Sequence, residues 1–393
     1  SRGLGDVYKR QVDRPCLKKD LSFFMKIAIV TLPLHTNYGG ILQAYALQTV
    51  LQQMGHEVHH LQPLVEFTSL HPTWQMPFVW IKRLIKKYLL GERQLPIVEH
   101  PHRWMRKYTD AFIHKYISMH SLQNEEWNAS LEKEYDAFIV GSDQVWRSCY
   151  ACPIERYFLS FLGYACTKPR IAYAASFGTK DCDFTYNQIF NCRELLQKFS
   201  FVSVREESGV DICRQQFDTN ACQLIDPTLL LLKTEYLNLI HEVHPSKGDL
   251  MVYILDETIA TEHLINQIAN SEGLIPFCTN SKIENYQAKG ADCQQPPVEQ
   301  WLKGFIDAKL VVTDSFHACV FAIIFNKPFI CIGNNKRGMA RFQSLLDLFG
   351  LQQCLINIEQ LYEIPNINWE KINLKLEKLR KYSLFSLEQA LIN

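Results

Sequence analysis

Along the chain, short apolar runs end in polar or glycine-bearing stretches and are followed by apolar residues at helical spacing. Lys26 to Leu32 (KIAIVTL) reads as a buried strand, the stretch through Asn37-Tyr38-Gly39-Gly40 as a glycine turn, and Ile41 to Met54 as a helix closed by Gly55. Val58 and Leu61 mark a second strand. A helical stretch of mixed charge and aromatics then runs, with interruptions, from about Trp80 to Lys133. Further strands are predicted at Tyr135 to Val140, Arg170 to Ala175 and Phe201 to Val204. From Leu250 the alternation starts again, with strands at 250–255, 273–277, 310–313 and 329–332 and helices at 260–270, 298–308, 316–325 and 339–349. Strands separated by helices require right-handed crossovers, so the fold class is α/β with parallel sheets. Two such series in tandem predict two Rossmann-like domains facing across an interdomain cleft, with ligands beyond the carboxyl ends of the strands.

The same pattern sets the boundaries. Residues 1–24 carry no period and no charged-then-apolar signal, so they read as a non-native or disordered leader, with Met25 the expected start. Residues 25–240 are assigned to the first domain. Residues 241–393, with the C-terminal helix, form the second, because the alternation lapses between Asp226-Pro227 and Gly248. A chain of 393 residues that is 47% hydrophobic can bury two cores, which excludes global disorder. The 41 basic and 41 acidic side chains cancel to a net charge of 0, so no long-range field draws in nucleic acid or an anionic bilayer. An anionic ligand must be held by a few local residues. Apolar runs such as Ala318 to Phe325 fall far short of the roughly 18–20 residues of a membrane span, so a soluble, cytoplasmic protein is expected. Thirteen scattered cysteines are not a disulfide framework. The close pair Cys149 and Cys152 lacks a second pair, so reduced thiols are expected there rather than zinc.

Several segments place chemistry at strand ends. Val311 to Cys319 (VVTDSFHAC) runs from a buried strand straight into a helix and sets Ser315 and His317 at its N-terminus. Unpaired N–H groups there favour an anion, and an imidazole can share it or supply a proton; a cap and a packed ring are the alternative. Arg205 ends the strand in FVSVREES and offers a planar fork to carboxylate or phosphate, or else an ion pair to Glu206 or Glu207. Lys336 and Arg337, in Gly333 to Gly338 (GNNKRG), precede a helix as a phosphate cradle or as a basic loop. In Gly141-Ser142-Asp143-Gln144-Val145-Trp146, Asp143 can accept a hydroxyl proton and Trp146 can present a flat face to a sugar, unless they are a turn cap and a core indole. Asn37-Tyr38-Gly39-Gly40 lacks the dinucleotide fingerprint, and His59 and His60 stand where its acidic residue belongs. That leaves Gly39 and Gly40 to permit a turn or the close approach of a ligand.

Taken in order, NYGG with LQAYAL, YDAFIVGSDQVW, SVREESG, DPTLL and TDSFHACVFAIIFNKPFI resemble the motifs of the polysaccharide pyruvyl transferase family over about Met25 to Gly350. The resemblance implies two Rossmann-like domains in a GT-B-like arrangement, acceptor side first and donor side second, with neither metal nor cofactor. It implies transfer of the enolpyruvyl carbons of phosphoenolpyruvate to two hydroxyls of a saccharide, as a cyclic ketal, in exopolysaccharide or other cell-surface glycan synthesis. Arg205 would hold the donor's carboxylate or phosphate, His317 would bind the anion or protonate the methylene carbon, and Asp143 would act on an acceptor hydroxyl. Lys336 and Arg337 would meet the departing phosphate, and Asn37, Gly39, Gly40, Ser142, Trp146 and Ser315 would line the substrates. Many related sequences carry Gly-Asp where this chain has Gly39-Gly40, which leaves the acceptor sugar open. The acceptor is free or lipid-linked, and a lipid-linked one would bring the protein to the inner face of a membrane. Two other functions suit the same fold: a glycosyltransferase with a nucleotide-sugar donor, and a non-catalytic carbohydrate-binding protein using Trp74, Trp80, Trp104 and Trp127.

Overall fold

The computed structural model describes residues 24–64, 101–240, 243–282, 290–334, 338–358 and 362–392. Seven strands form one sheet: β1 (Lys26–Val30), β2 (Glu57–Pro63), β3 (Met119–Leu122), β4 (Ala137–Val140), β5 (Arg170–Ala175), β6 (Phe201–Val204) and β7 (Cys222–Gln223). Five more form a second: β8 (Leu250–Tyr253), β9 (Pro276–Cys278), β10 (Leu310–Thr313), β11 (Phe329–Ile332) and β12 (Leu355–Ile356). The orders are β3-β2-β1-β4-β5-β6-β7 and β12-β11-β10-β8-β9, and every pairing within them is parallel. The helices are α1 (Tyr38–Gln53), α2 (Pro101–Tyr116), α3 (Tyr186–Leu196), α4 (Glu207–Phe217), α5 (Lys233–Leu237), α6 (Ile259–Glu272), α7 (Val298–Asp307), α8 (Phe316–Phe325), α9 (Met339–Phe349) and α10 (Trp369–Ile392). The observed class is thus the expected one, α/β with two parallel sheets.

The central strands read as unbroken apolar runs because both their faces are covered; β4, β10 and β11 bury every residue. Helix α8 (FHACVFAIIF) is apolar all round and is likewise buried along its whole length. One hydrophobic cluster joins the facing sides of the two halves, from Ile27 and Leu47 to Trp301 and Phe321. Tyr38 threads it: its ring lies 5.3 Å from that of Trp301, and its hydroxyl donates to Pro296 O at 2.8 Å. Two outer clusters, one around Phe158 and Phe217 and one around Leu250 and Ile268, close the remaining faces.

Some expectations change. The glycines of Asn37-Tyr38-Gly39-Gly40 lie inside the first turn of α1, with Asn37 as its N-cap, rather than in a turn ahead of it. The stretch expected to be helical up to Lys133 contains the edge strand β3, while its portion before residue 101 lies outside the described residues, as does Trp74. Helix α10, expected with the second domain, returns to the first. Arg380 Nε donates to Leu229 O at 2.9 Å, and Ser383 Oγ accepts from Ile225 N at 3.4 Å. No helix among the described residues is long and apolar enough to cross a membrane.

Each sheet has one point where the strand order reverses, between β1 and β4 in the first and between β8 and β10 in the second. Loops leaving the carboxyl ends of such neighbours diverge and open a place for side chains to gather. In the first half that place holds the start of α1 and the loop of Asp143; in the second it holds Asp314, Ser315 and the start of α8.

Candidate functional site

Where the sequence suggests a cleft, the described residues form a packed polar junction in which Asp143, Arg205, Asp226 and His317 are each 6% exposed or less. Arg205 follows β6. Its Nη2 donates to Asp143 Oδ1 at 2.9 Å and its Nη1 to Asp226 Oδ2 at 2.7 Å, while Glu206 Oε2 lies 3.9 Å from its Nε. Both ends of the fork expected for a ligand are therefore taken by the protein's own carboxylates. Burial would push both carboxyls up, but the guanidinium beside Asp143 and the combined pull of His317, Arg205 and Thr228 on Asp226 hold them below the usual range. The three carboxylates in turn raise Arg205 against the penalty of burial.

His317 comes from the opposite sheet, in the first turn of α8, and its Nε2 lies 3.5 Å from the same Asp226 Oδ2. Arg205 and His317 thus converge, as the sequence suggests, but on Asp226. A β-carbon on Gly39 would fall inside the imidazole at Nδ1, so only glycine lets the first turn of α1 touch the first turn of α8. One residue on, Gly40 faces Asp143 Oδ2. Two helix N-termini therefore meet with an imidazole between them, an arrangement whose N–H groups and dipoles favour an anion. Phe316 contributes a ring 4.4 Å from the Arg205 guanidinium, a cation–π contact across the junction.

Arg341, on α9, lies 5.5 Å from the same Phe316 ring. Burial first, and the nearby Arg205 second, push its guanidinium down to about 10. Its helix starts at Gly338 (φ 97°), where a β-carbon would collide with the Gly178 carbonyl of the first half. Glu206 is fully buried, and its Oε1 accepts from Ser176 Oγ and Gly178 N, both at 2.8 Å.

A family model described as polysaccharide pyruvyl transferase matches residues 37–336. The chain belongs to that family. The matched segment starts at the N-cap of α1 and takes in Asp143, Arg205, Asp226 and His317; Arg341 lies beyond it. No curated protein matches the chain. Among solved structures it is similar to UGT89C1 of Arabidopsis thaliana complexed with UDP-L-rhamnose, with a TM-score of 0.46, 8% identity and coverage of 94% of this chain and 98% of that one. It is also similar to the UDP-N-acetylglucosamine 2-epimerase of Rickettsia bellii (TM-score 0.43, 12% identity, 93% and 96% covered). A third is the ADP-heptose LPS heptosyltransferase II of E. coli (0.34, 12%, 91% and 99%).

Other residues singled out in the sequence fall differently. Trp146 offers no face to a sugar: it is fully buried, its Nε1 donates to Tyr157 O at 3.0 Å, and it stacks on Phe158 at 5.0 Å. Ser142 is buried too, its hydroxyl donating to Ala174 O at 2.6 Å and its N–H to Gln43 Oε1 at 2.9 Å, which locks the Asp143 loop to α1. Asp143 is locked in its ion pair rather than open to solvent. Asn37 is exposed and spends its Oδ1 on Gly40 N at 3.2 Å. Ser315 occupies the N-cap position of α8 without a side-chain capping bond. Asp314 ties the second switch point instead, its carboxylate accepting from Leu255 N at 2.7 Å and Asp256 N at 3.1 Å. Lys336 and Arg337 lie outside the described residues. Of the wider tryptophans, Trp127 lies under Arg156 at 4.6 Å and edge-on to Phe161 at 5.2 Å. Cys149 and Cys152 are free and exposed.

Asp226 and Arg341 complete the junction without having been assigned roles from the sequence, while Glu206 lies where the ion-pair alternative for Arg205 puts it, with Oε2 3.9 Å from Nε. Asp226 carried a signal as the first residue of the Asp-Pro-Thr stretch where the strand pattern lapses. The Gly39 contact yields a direct test. Gly39→Ala is expected to cost about 1–3 kcal/mol by overpacking the junction, whereas Gly40→Ala, whose added β-carbon would meet its nearest neighbours at 3.8 Å, is expected to cost little. Melting curves showing equal losses for the two would contradict the close approach of α1 and α8.

Proposed function

We propose that this family member transfers the enolpyruvyl group of phosphoenolpyruvate to two hydroxyls of a saccharide, forming a cyclic ketal and releasing inorganic phosphate. The observation that carries the reading is the meeting of the α1 and α8 N-termini at Gly39 and His317, beside buried Arg205 and Arg341. A small dianion with a carboxylate and a phosphate matches that combination of N–H groups, dipoles and cations. In the first addition, one acceptor hydroxyl bonds to C2 as the methylene carbon C3 gains a proton. Loss of phosphate by C2–O cleavage then gives an oxocarbenium ion, which the second hydroxyl captures. Of the two hydroxyl protons, one ends on the new methyl group and the other on phosphate, so the reaction balances. In this proposal His317 carries the proton to C3, while Asp143, ionised by Arg205, orients the acceptor near Gly40. Arg205 acts by fixing Asp143 and Asp226 rather than by a free fork, Arg341 meets the phosphate, and the family resemblance adds Lys336 and Arg337 as phosphate contacts. Gly39, Gly40 and Ser315 supply the walls. Phosphoenolpyruvate is a cytosolic metabolite, so the reaction runs in the cytoplasm, at the inner membrane face when the acceptor is lipid-linked, and serves exopolysaccharide or other cell-surface glycan synthesis.

Phosphoenolpyruvate alone is expected to raise the melting temperature, by the equivalent of about 2.7 kcal/mol at a concentration of about 100 Kd, and His317→Ala to reduce that shift. UDP and GDP serve as comparators in the same assay. Candidate oligosaccharides incubated with enzyme and donor should gain the mass of pyruvic acid less water. A shift with UDP or GDP and none with phosphoenolpyruvate would replace this reading with a nucleotide-sugar transferase.

A further inference from the structure

Every oxygen of Asp226 is committed. Oδ1 accepts from Thr228 N at 3.0 Å and Thr228 Oγ1 at 2.7 Å, which fixes the carboxylate plane. Oδ2 accepts from Arg205 Nη1 at 2.7 Å and faces His317 Nε2 at 3.5 Å. That buried Nε2 makes no hydrogen bond, and among the described residues Asp226 is the carboxylate within ion-pair distance of it. The other ring nitrogen, Nδ1, is the one against the missing β-carbon of Gly39, at the start of α1. The two nitrogens thus point to different surroundings, one to a fixed carboxylate and the other to the meeting of two helix N-termini.

We infer that Asp226 is a positioning residue for His317: its Oδ2 keeps a proton on Nε2 and turns the lone pair of Nδ1 toward the place where a ligand meets α1 and α8. The inference rests on reading this junction as the donor site. There Nδ1 would take a proton from the acceptor hydroxyl and hand it to C3 of the donor, while the proton on Nε2 stays in place and Asp226 stays ionised. The 3.5 Å separation is within ion-pair distance. Holding a histidine in one tautomer by a buried carboxylate is effective because the carboxylate also stabilises the imidazolium formed midway. The buried charged groups of the same junction are Asp143 after β4, Arg205 and Glu206 after β6, Asp226 after β7 and Arg341 on α9, with Asp314 three residues ahead of His317. Asp226 is the one in ion-pair reach of the ring.

The test is nitrogen NMR on the full chain carrying 15N-histidine, with the His317 signals identified by their loss in His317→Gln. Neutral His317 is expected to show a protonated Nε2 and a bare Nδ1, and Asp226→Asn to raise the share of the ring that carries its proton on Nδ1. A proton on Nδ1 in the wild-type chain, or an unchanged balance of tautomers in Asp226→Asn, would overturn the inference. The wild-type tautomer needs no variant, so the question stays answerable if Asp226→Asn does not fold. In turnover, Asp226→Asn is expected to lower kcat by about 100-fold with a smaller change in KM for phosphoenolpyruvate. A loss confined to KM would overturn positioning in favour of donor binding. If the tautomer is found but no pyruvyl transfer occurs, the donor-site reading falls and the pairing of Asp226 with His317 stands.

Discussion

Arg205→Met is expected to destabilise the folded chain by about 3–5 kcal/mol, because it removes one partner of a buried ion-pair cluster and leaves the others uncompensated. The guanidinium is the cation shared by Asp143 at 2.9 Å and Asp226 at 2.7 Å, with Glu206 at 3.9 Å. Without Arg205, Asp143 and Glu206 face Arg341, and Asp226 is left with His317 and Thr228. The variant also loses the cation–π contact to Phe316, so the damage extends to the docking of the second half on the first. Arg205→Lys is expected to recover little of this, since a single ammonium cannot present two parallel donors to two carboxylates. The pH dependence gives an independent check. Asp143 and Asp226 have folded pKa values below the unfolded value of 3.8, so their stabilisation is present above about pH 4 and is lost as pH falls through the lower folded values. In Arg205→Met those carboxyls rise and that contribution is already gone. The gap between variant and wild type, read from urea unfolding, should therefore be widest at neutral pH and narrow toward pH 3. A gap that is constant with pH would mean that Arg205 stabilises by packing alone.

The elements that define the two sheets were readable because each is a short, wholly buried apolar run. Arg170 to Ala175, Phe201 to Val204, Leu310 to Thr313, Phe316 to Phe325 and Phe329 to Ile332 all form with the bounds their residues suggest. Edge elements were less readable: β9 (Pro276–Cys278) starts three residues later than the strand expected at 273–277, and the other three were not read at all. Strand β3 (MHSL) is half polar, and β7 and β12 pair over only two residues, too few to show a period. The site was partly legible, since a hydroxyl, an imidazole and a guanidinium at strand ends point to one edge of a parallel sheet. What a single sequence does not encode locally is pairing. Arg205 and Asp226 are 21 residues apart, at the ends of neighbouring strands, and nothing in their spacing says that the fork is filled internally. Gly39 looks like a turn glycine until the opposite domain is seen to put His317 against it. Trp146 misled for a related reason, because its loop turns back on the outer core and buries the indole beside Phe158 and Phe177.

Acid should weaken this fold through a residue far from that junction. His60, on β2, is fully buried, and neither ring nitrogen has a hydrogen-bond partner; the Ala44 carbonyl offsets only part of the burial penalty. Burial lowers its pKa from 6.5 to about 3, so the imidazole stays neutral in the fold while the unfolded chain protonates it near its ordinary value. Between pH 6.5 and about 3 the unfolded state therefore binds more protons, and stability falls as pH drops through that window. At about 1.4 kcal/mol per pH unit, the loss at pH 5 is about 2 kcal/mol relative to neutral pH. His60→Leu removes both the titration and two unsatisfied buried nitrogens. It is expected to be more stable than wild type at pH 7, by about 1–3 kcal/mol, and to gain a further 2 kcal/mol or so by pH 5. Because Asp143 and Asp226 titrate in both proteins, the difference between the two profiles isolates His60. Parallel profiles from pH 7 to pH 5 would show that the imidazole takes up its proton in the folded state, through a rearrangement of α1 over β2 that gives it a partner.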